Sequence, residues 1–170
     1  VIQTERLLLR KPQAEDAPGL LEAFGDPEAM RYIGDGSTTD LAGAEEAVER
    51  WLERWQSWGI GMFVVERRED RRMLGRVGFL RWDPQTWEVG GSETEIGWGL
   101  AREHWQHGYA TEAALALRDW ALGERGLSRL ISLIQHGNAP SVRVAEKLGE
   151  RYERDVEVRG LPTWLYALER

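Results

Sequence analysis

The chain has 170 residues, of which 29 are acidic and 22 basic, for a formal charge of −7; it has nine tryptophans and no cysteine. One core commonly serves roughly 100–200 residues, so a single domain over 1–170 is expected. The acidic balance argues against nucleic acid as the main partner, and the missing cysteine excludes disulfides, thiolate metal sites and a cysteine nucleophile. In chain order, Thr4-Glu5-Arg6-Leu7-Leu8-Leu9-Arg10 reads as a strand stopped by Pro12. Apolar Ala17, Leu20, Leu21 and Phe24 recur at helical spacing between Glu15 and Phe24. A second helix is predicted from Asp40, its N-cap, with Leu41, Ala44, Val48, Trp51, Leu52 and Trp55 on one stripe and Gly59 as its stop.

Met62 to Glu66 and Leu74 to Trp82 read as a hairpin. Its turn, Arg67 to Arg72, reads as a charged tip in water. Asp83 to Gly91 is loop-like. Glu93 to Leu100 alternates like a half-buried strand, and Gly97 and Gly99 suggest a bulge or a close backbone approach. A helix follows from Tyr109 to Glu124, then a buried strand of parallel type at Leu130–Ile134. Asn138 caps the next predicted helix, with Pro140 in its first turn and Gly149 at its end. Tyr152–Val158 and Leu161–Leu168 are the last strands, flanking Arg159-Gly160. The order implies a mixed α/β (α+β) sheet.

His104-Trp105-Gln106-His107-Gly108-Tyr109-Ala110-Thr111 joins a strand to a helix. First-turn N–H groups and the positive end of the helix dipole suit an anion there. Gly108 permits close backbone approach, Ala110 keeps the next turn bare, and Thr111 adds a hydroxyl. The loop has neither the Gly-Lys-Ser/Thr of a P-loop nor a dinucleotide glycine triplet. His104 and His107 lie three apart without a third ligand of matching spacing, so no metal is expected. His107 suits the phosphate side, and His136 reads as a loop residue. Arg143 and Lys147 read as solvated helix charges.

Glu95-Ile96-Gly97-Trp98, then Trp105-x-x-Gly108-Tyr109-Ala110-Thr111-Glu112-Ala113, then Asn138-Ala-Pro-Ser141 through Glu146-Lys147-Leu148-Gly149 resemble the GNAT N-acetyltransferases. The RimJ/RimL-type branch is the most similar, and Thr4 to Arg10 resembles its first strand. The resemblance spans nearly the whole chain. It implies a GNAT fold: a mostly antiparallel sheet of about six or seven strands with a central parallel pair and about four flanking helices. It also implies acetyl transfer from acetyl-CoA to a primary amine. Trp98, Gly99 and Leu100 would lie along the pantetheine arm. Gln106, His107, Gly108, Tyr109, Ala110 and Thr111 would cradle the pyrophosphate, with Trp105 replacing the family's usual Gln or Arg. Asn138 resembles the family's cofactor-contacting asparagine.

Within this resemblance the tyrosine acid of many relatives is replaced by Ala145, which leaves Ser141 as the group to serve the departing sulfur. Its plainer reading is a first-turn serine satisfying backbone N–H groups. Glu95 is the candidate base, deprotonating the amine through a water, and Glu93 shares its strand face. The alternatives are a solvated glutamate or an amine that arrives neutral. Leu133 occupies the position where some N-terminal acetyltransferases carry a glutamate. Glu150 stands where relatives usually carry an aromatic or apolar residue, so it is expected either to be exposed or to alter the turn. Trp51, Trp55 and Trp58 read first as core packing and second as a roof over the acceptor. Trp82 and Trp87 read as acceptor contacts or as cover for a homodimer contact.

The acceptor is a protein N-terminus, such as that of a ribosomal protein, or a small amine such as an amino acid, polyamine or antibiotic. A non-catalytic acyl-CoA-binding module is the alternative that Ala145 favours. The missing cysteine removes a cysteinyl acyl-enzyme and favours direct attack. No apolar run approaches the ~20 residues of a membrane span and no signal-peptide pattern opens the chain, so a cytoplasmic protein is expected.

Overall fold

The computed structural model describes residues 1–83, 85 and 91–170. Trp87 and most of the loop read at Asp83–Gly91 lie outside the described residues. Eight strands form one sheet in the order β1-β2-β3-β4-β5-β6-β8-β7. They are β1 (Ile2–Gln3), β2 (Leu7–Arg10), β3 (Met62–Arg67), β4 (Met73–Trp82), β5 (Glu93–Leu100), β6 (Arg129–Gln135), β7 (Arg151–Val158) and β8 (Leu161–Glu169). The helices are α1 (Ala17–Phe24), α2 (Pro27–Met30), α3 (Leu41–Trp58), α4 (Tyr109–Gly123) and α5 (Ala139–Leu148). The eighth strand, β1, lies ahead of the strand read at Thr4–Arg10, of which only the last four residues are strand (β2) while Thr4–Arg6 turn the chain. The Thr4 hydroxyl and backbone close a turn onto Leu7, and β1 folds back antiparallel on β2 with Ile2 opposite Leu9. α2 is an addition to the elements read from sequence, a single turn capped by the Asp26 side chain.

By packing, the chain forms two compact units, residues 1–78 with 98–113 and residues 79–97 with 114–170. The first has a core of Leu7, Leu9, Leu20, Val48, Phe63 and Leu74. The tryptophan stripe belongs to it. Trp51 packs edge-on against Phe24, and Trp55 packs edge-on against Phe63 while donating its indole N–H to the Met62 carbonyl. Both side chains are buried, so core packing explains both residues. Asp40 and Gly59 cap α3 as read: the Asp40 carboxylate accepts from Gly43 N–H, and Gly59 adopts φ +65°.

The charged hairpin turn is exposed from Arg68 to Arg72, a tip in water as read, and several of its charges are paired. Arg67 pairs with Asp70, whose carboxyl the guanidinium holds down at about 2. Arg68 donates to the carbonyls of Thr4 and Glu5, and Arg72 bridges Glu22 and Glu103. The Arg67–Asp70 pair is local to the run, whereas the partners of Arg68 and Arg72 lie far along the chain.

The second unit is centred on Phe79, Ile96, Leu117, Leu130, Ile131, Leu148 and Leu165. β6 pairs antiparallel with β8 along its whole length, whereas its parallel pairing with β5 is one register pair, Glu95 with Ile131. α5 begins and ends as read. Asn138 Oδ1 accepts from Ser141 N–H, and Gly149 takes φ +88°. Gly149 N–H then bonds the Glu146 carbonyl and Glu150 N–H the Ala145 carbonyl, a Schellman pair. That turn is unaltered by Glu150, and Glu150 is 3% exposed. The expectation of an exposed Glu150 or an altered turn is therefore corrected. The two hydrogen bonds fix where the residue after the glycine goes, and they carry it inward whatever its side chain.

Candidate active site

In the first unit, the loop before α4 is built by two left-handed residues. Gln106 has φ +64° and Gly108 φ +79°. The first helical bond of α4 runs from Glu112 N–H to the Gly108 carbonyl. The N–H groups of Tyr109, Ala110 and Thr111 precede it and have no partner within the helix, which is the arrangement that binds an anion. Gln106, His107 and Gly108 are exposed, and Tyr109, Ala110 and Thr111 are half-buried. The loop is strapped at its start by Trp105, whose indole N–H donates to the Leu100 carbonyl at 2.8 Å.

Arg6 and Glu112 are partners that the sequence reading missed. Arg6 Nη1 donates to the His107 carbonyl at 2.9 Å, and its guanidinium lies 4.6 Å above the Tyr109 ring. Arg6 Nε and Glu112 Oε2 are 2.7 Å apart. Burial pushes the Glu112 carboxyl up, but bonds from Thr4 and from the Arg6 backbone and side chain outweigh it and hold it low. The N-terminal segment thus braces the loop. Glu112 stood inside the motif, but nothing local pointed to a partner 106 residues away.

Of the strand residues, Trp98 and Gly99 are half-buried and Leu100 is buried, its carbonyl taken by Trp105. The close backbone approach at this strand depends on Gly75 of β4, where a Cβ would fall 2.3 Å from the Gly99 carbonyl oxygen, whereas a Cβ on Gly99 itself would first meet the side chains of Ile33 and Arg76. His104 is buried beside Glu103, and burial lowers its imidazole, keeping it neutral. Glu22 and Glu103 meet there, with the Arg72 guanidinium bonded to both.

In the second unit, Glu95 is half-buried on β5 and accepts from the Trp82 indole N–H at 2.8 Å. Glu93 on the same face is paired with Arg129. Asn138 and Ser141 come together at the start of α5, where the asparagine and not the serine supplies the cap. Ser141 is half-buried, Ala145 buried, and Arg143 and Lys147 exposed. His136 is stacked on Trp164 and lies 2.8 Å from Asp155, a structural loop residue.

The carboxyl missed from sequence is Glu150. Burial, and secondarily the charge of Glu95, push it up to about 8 despite a hydrogen bond with Ser132. Its Oε1 is 3.1 Å from Ser132 Oγ, and Ser132 Oγ is 3.0 Å from the Ile96 carbonyl.

Residues 6–151 match the acetyltransferase (GNAT) domain family. The chain is 30% identical over 159 residues to the N-acetyltransferase p20 of Bacillus licheniformis, covering 92% of this chain and 86% of that one. It superposes on a GNAT-family acetyltransferase from Bacillus anthracis with a TM-score of 0.81 at 28% identity, covering 99% and 97% of the two chains. It also shares the fold of RimL, a ribosomal L7/L12 alpha-N-protein acetyltransferase solved with coenzyme A. The TM-score there is 0.81, at 16% identity, over 98% and 95% of the chains.

Proposed function

The chain belongs to the GNAT acetyltransferase family, and from that premise we propose that one GNAT domain here acetylates a cationic primary amine by direct attack. The observation that carries the reading is the brace-and-loop geometry of residues 106–111, with left-handed Gln106 and Gly108 ahead of an open helix start. These features fit a pyrophosphate. Gln106, His107, Gly108, Tyr109, Ala110 and Thr111 would hold it, with Trp98, Gly99 and Leu100 along the pantetheine arm and Asn138 as a further contact. When bound, acetyl-CoA supplies the activated acetyl thioester.

The amine must be neutral to attack, and Glu95 takes its proton through a water. The departing thiolate, of ordinary pKa ~8.5, is assigned a hydrogen bond from the Ser141 hydroxyl, which keeps its own proton, and the sulfur is protonated from solvent after it leaves. With no cysteine in the chain, no cysteinyl acyl-enzyme intervenes. The −7 charge favours a cationic acceptor, either a protein N-terminus of the kind RimL modifies or a small amine. The expected setting is the cytoplasm. Ala145, which offers no hydroxyl, favours a second reading as a non-catalytic acyl-CoA-binding module.

Turnover of acetyl-CoA against basic peptides and small amines separates the two readings: acetylated product is expected, and binding without turnover across the panel would establish the module. Glu95→Gln and Ser141→Ala are each expected to lower kcat by about 10²-fold while changing acetyl-CoA affinity less than about threefold. Wild-type rates in both would remove these residues from the chemistry. Arg6→Ala should weaken acetyl-CoA binding about three- to tenfold by calorimetry through loss of loop bracing. Its effect on stability should be small, because the ion pair with Glu112 is half-exposed.

A further inference from the structure

Ser132 has one hydroxyl proton and two neighbours that call for it, the Ile96 carbonyl at 3.0 Å and Glu150 Oε1 at 3.1 Å. A carbonyl only accepts. Both contacts are satisfied only when Glu150 carries a proton and donates it to Ser132 Oγ, leaving the hydroxyl to donate to Ile96. All three residues are buried, and among the described residues the second carboxyl oxygen of Glu150 has no hydrogen-bond partner. An ionised carboxylate so placed would be uncompensated. Burial accordingly raises this carboxyl to about 8, and the charged group bearing on it is Glu95 across on β5.

The place of this chain of bonds gives it a consequence. Among the described residues, the parallel pairing of β5 with β6 is one register pair long, at Glu95 and Ile131. Ile96 and Ser132 are the next residues on each strand. The side-chain bond from Ser132 to the Ile96 carbonyl therefore adds a rung next to that single pair, and the residue it steadies is the neighbour of Glu95.

We propose that Glu150 is a positioning residue: as a neutral acid it turns the Ser132 hydroxyl onto the Ile96 carbonyl and so fixes Glu95 on β5. When Glu150 ionises, its carboxylate claims the Ser132 proton, the Ile96 carbonyl is released, and a second negative charge stands near Glu95. The clamp is thus closed below the Glu150 transition and open above it. The inference rests on Glu95 serving the reaction, although the clamp itself does not depend on that role.

The test is run on the full chain with two readouts. In carbon-13 NMR, the Glu150 carboxyl, identified by its loss in Glu150→Gln, is expected to titrate near pH 8, and the Ile96 carbonyl carbon to shift with the same midpoint. Titration of Glu150 in the ordinary carboxylate range, or an Ile96 signal flat through its transition, overturns the proposal even if no amine is acetylated. In steady-state kinetics, Ser132→Ala and Glu150→Ala are each expected to lower kcat about tenfold with KM for acetyl-CoA unchanged, the scale of one lost hydrogen bond. Glu150→Gln keeps a donor to Ser132 and is expected to restore kcat and to abolish the loss of rate above the Glu150 transition. Wild-type kcat in both alanine variants, or the same alkaline loss in Glu150→Gln, also overturns it. A wild-type chain that shows the coupled NMR titration without turnover supports the clamp and rejects the acetyltransfer reading instead.

Discussion

Glu150→Gln is expected to raise the melting temperature above pH 8 by roughly 10–20 °C relative to its effect at pH 4.5 and below. The unfolded chain releases the Glu150 proton near the ordinary value of 4.5, whereas the folded chain holds it to about 8. Between those values the native state binds one proton more than the unfolded state, so wild-type stability falls as pH rises. The fall is about 1.4 kcal/mol per pH unit and sums to ~5 kcal/mol by the folded-state transition, beyond which it is flat. Glutamine does not ionise and is free of this loss. It has nearly the same volume and can still donate to Ser132, so packing differences enter as an offset independent of pH. Paired melting curves of wild type and variant from pH 4 to 9 measure the divergence directly. Curves that stay parallel would mean that Glu150 is ionised in the fold at low cost.

The same residue marks how far the sequence could be read. Asp40, Gly59, Asn138 and Gly149 act on backbone groups within a few residues, so their caps were legible, and α3 and α5 begin and end where those residues require. The turn at Gly108 was legible for the same reason, whereas its reading as an anion loop came from the resemblance of the whole motif, since a glycine before a helix alone does not single one out. Glu150 was legible as a departure but not as a buried acid. Glutamate is usually exposed, and only the Schellman bonds to Ala145 and Glu146, together with Ser132 on β6, show that it is carried inside. Arg6 with Glu112 and Trp82 with Glu95 follow the same rule. Such polar pairs are set by tertiary folding across long separations, and no spacing in the chain announces them. β1 was hidden because Ile2-Gln3 is too short to carry a pattern, and the turn at Thr4–Arg6 rests on the bonds between Thr4 and Leu7, which no spacing announces.

Gly75→Ala is the backbone counterpart of these side-chain effects and is expected to destabilise the first unit by ~3 kcal/mol or more. Two costs add. Gly75 has φ +143°, a conformation that a residue with a Cβ rarely adopts. The added Cβ would also stand 2.3 Å from the Gly99 carbonyl oxygen and 2.8 Å from the Leu100 Cα. Both neighbours are main chain and cannot rotate aside, so β4 and β5 must separate or the backbone must refold locally. Separation would move the Gly99–Leu100 stretch proposed to follow the pantetheine arm, and Trp105 would lose its fixed acceptor at the Leu100 carbonyl. Loss of stability should therefore be accompanied by weaker acetyl-CoA binding in the fraction that folds. Gly123→Ala is the contrasting substitution. It ends α4 with nothing within 4 Å of the added Cβ, and a helical alanine should be neutral or slightly stabilising. Denaturant unfolding of the two variants, with acetyl-CoA calorimetry on each, separates a specific clash at β4 and β5 from a general intolerance of glycine replacement. Equal stability of Gly75→Ala and wild type would show that the strands yield at this crossing.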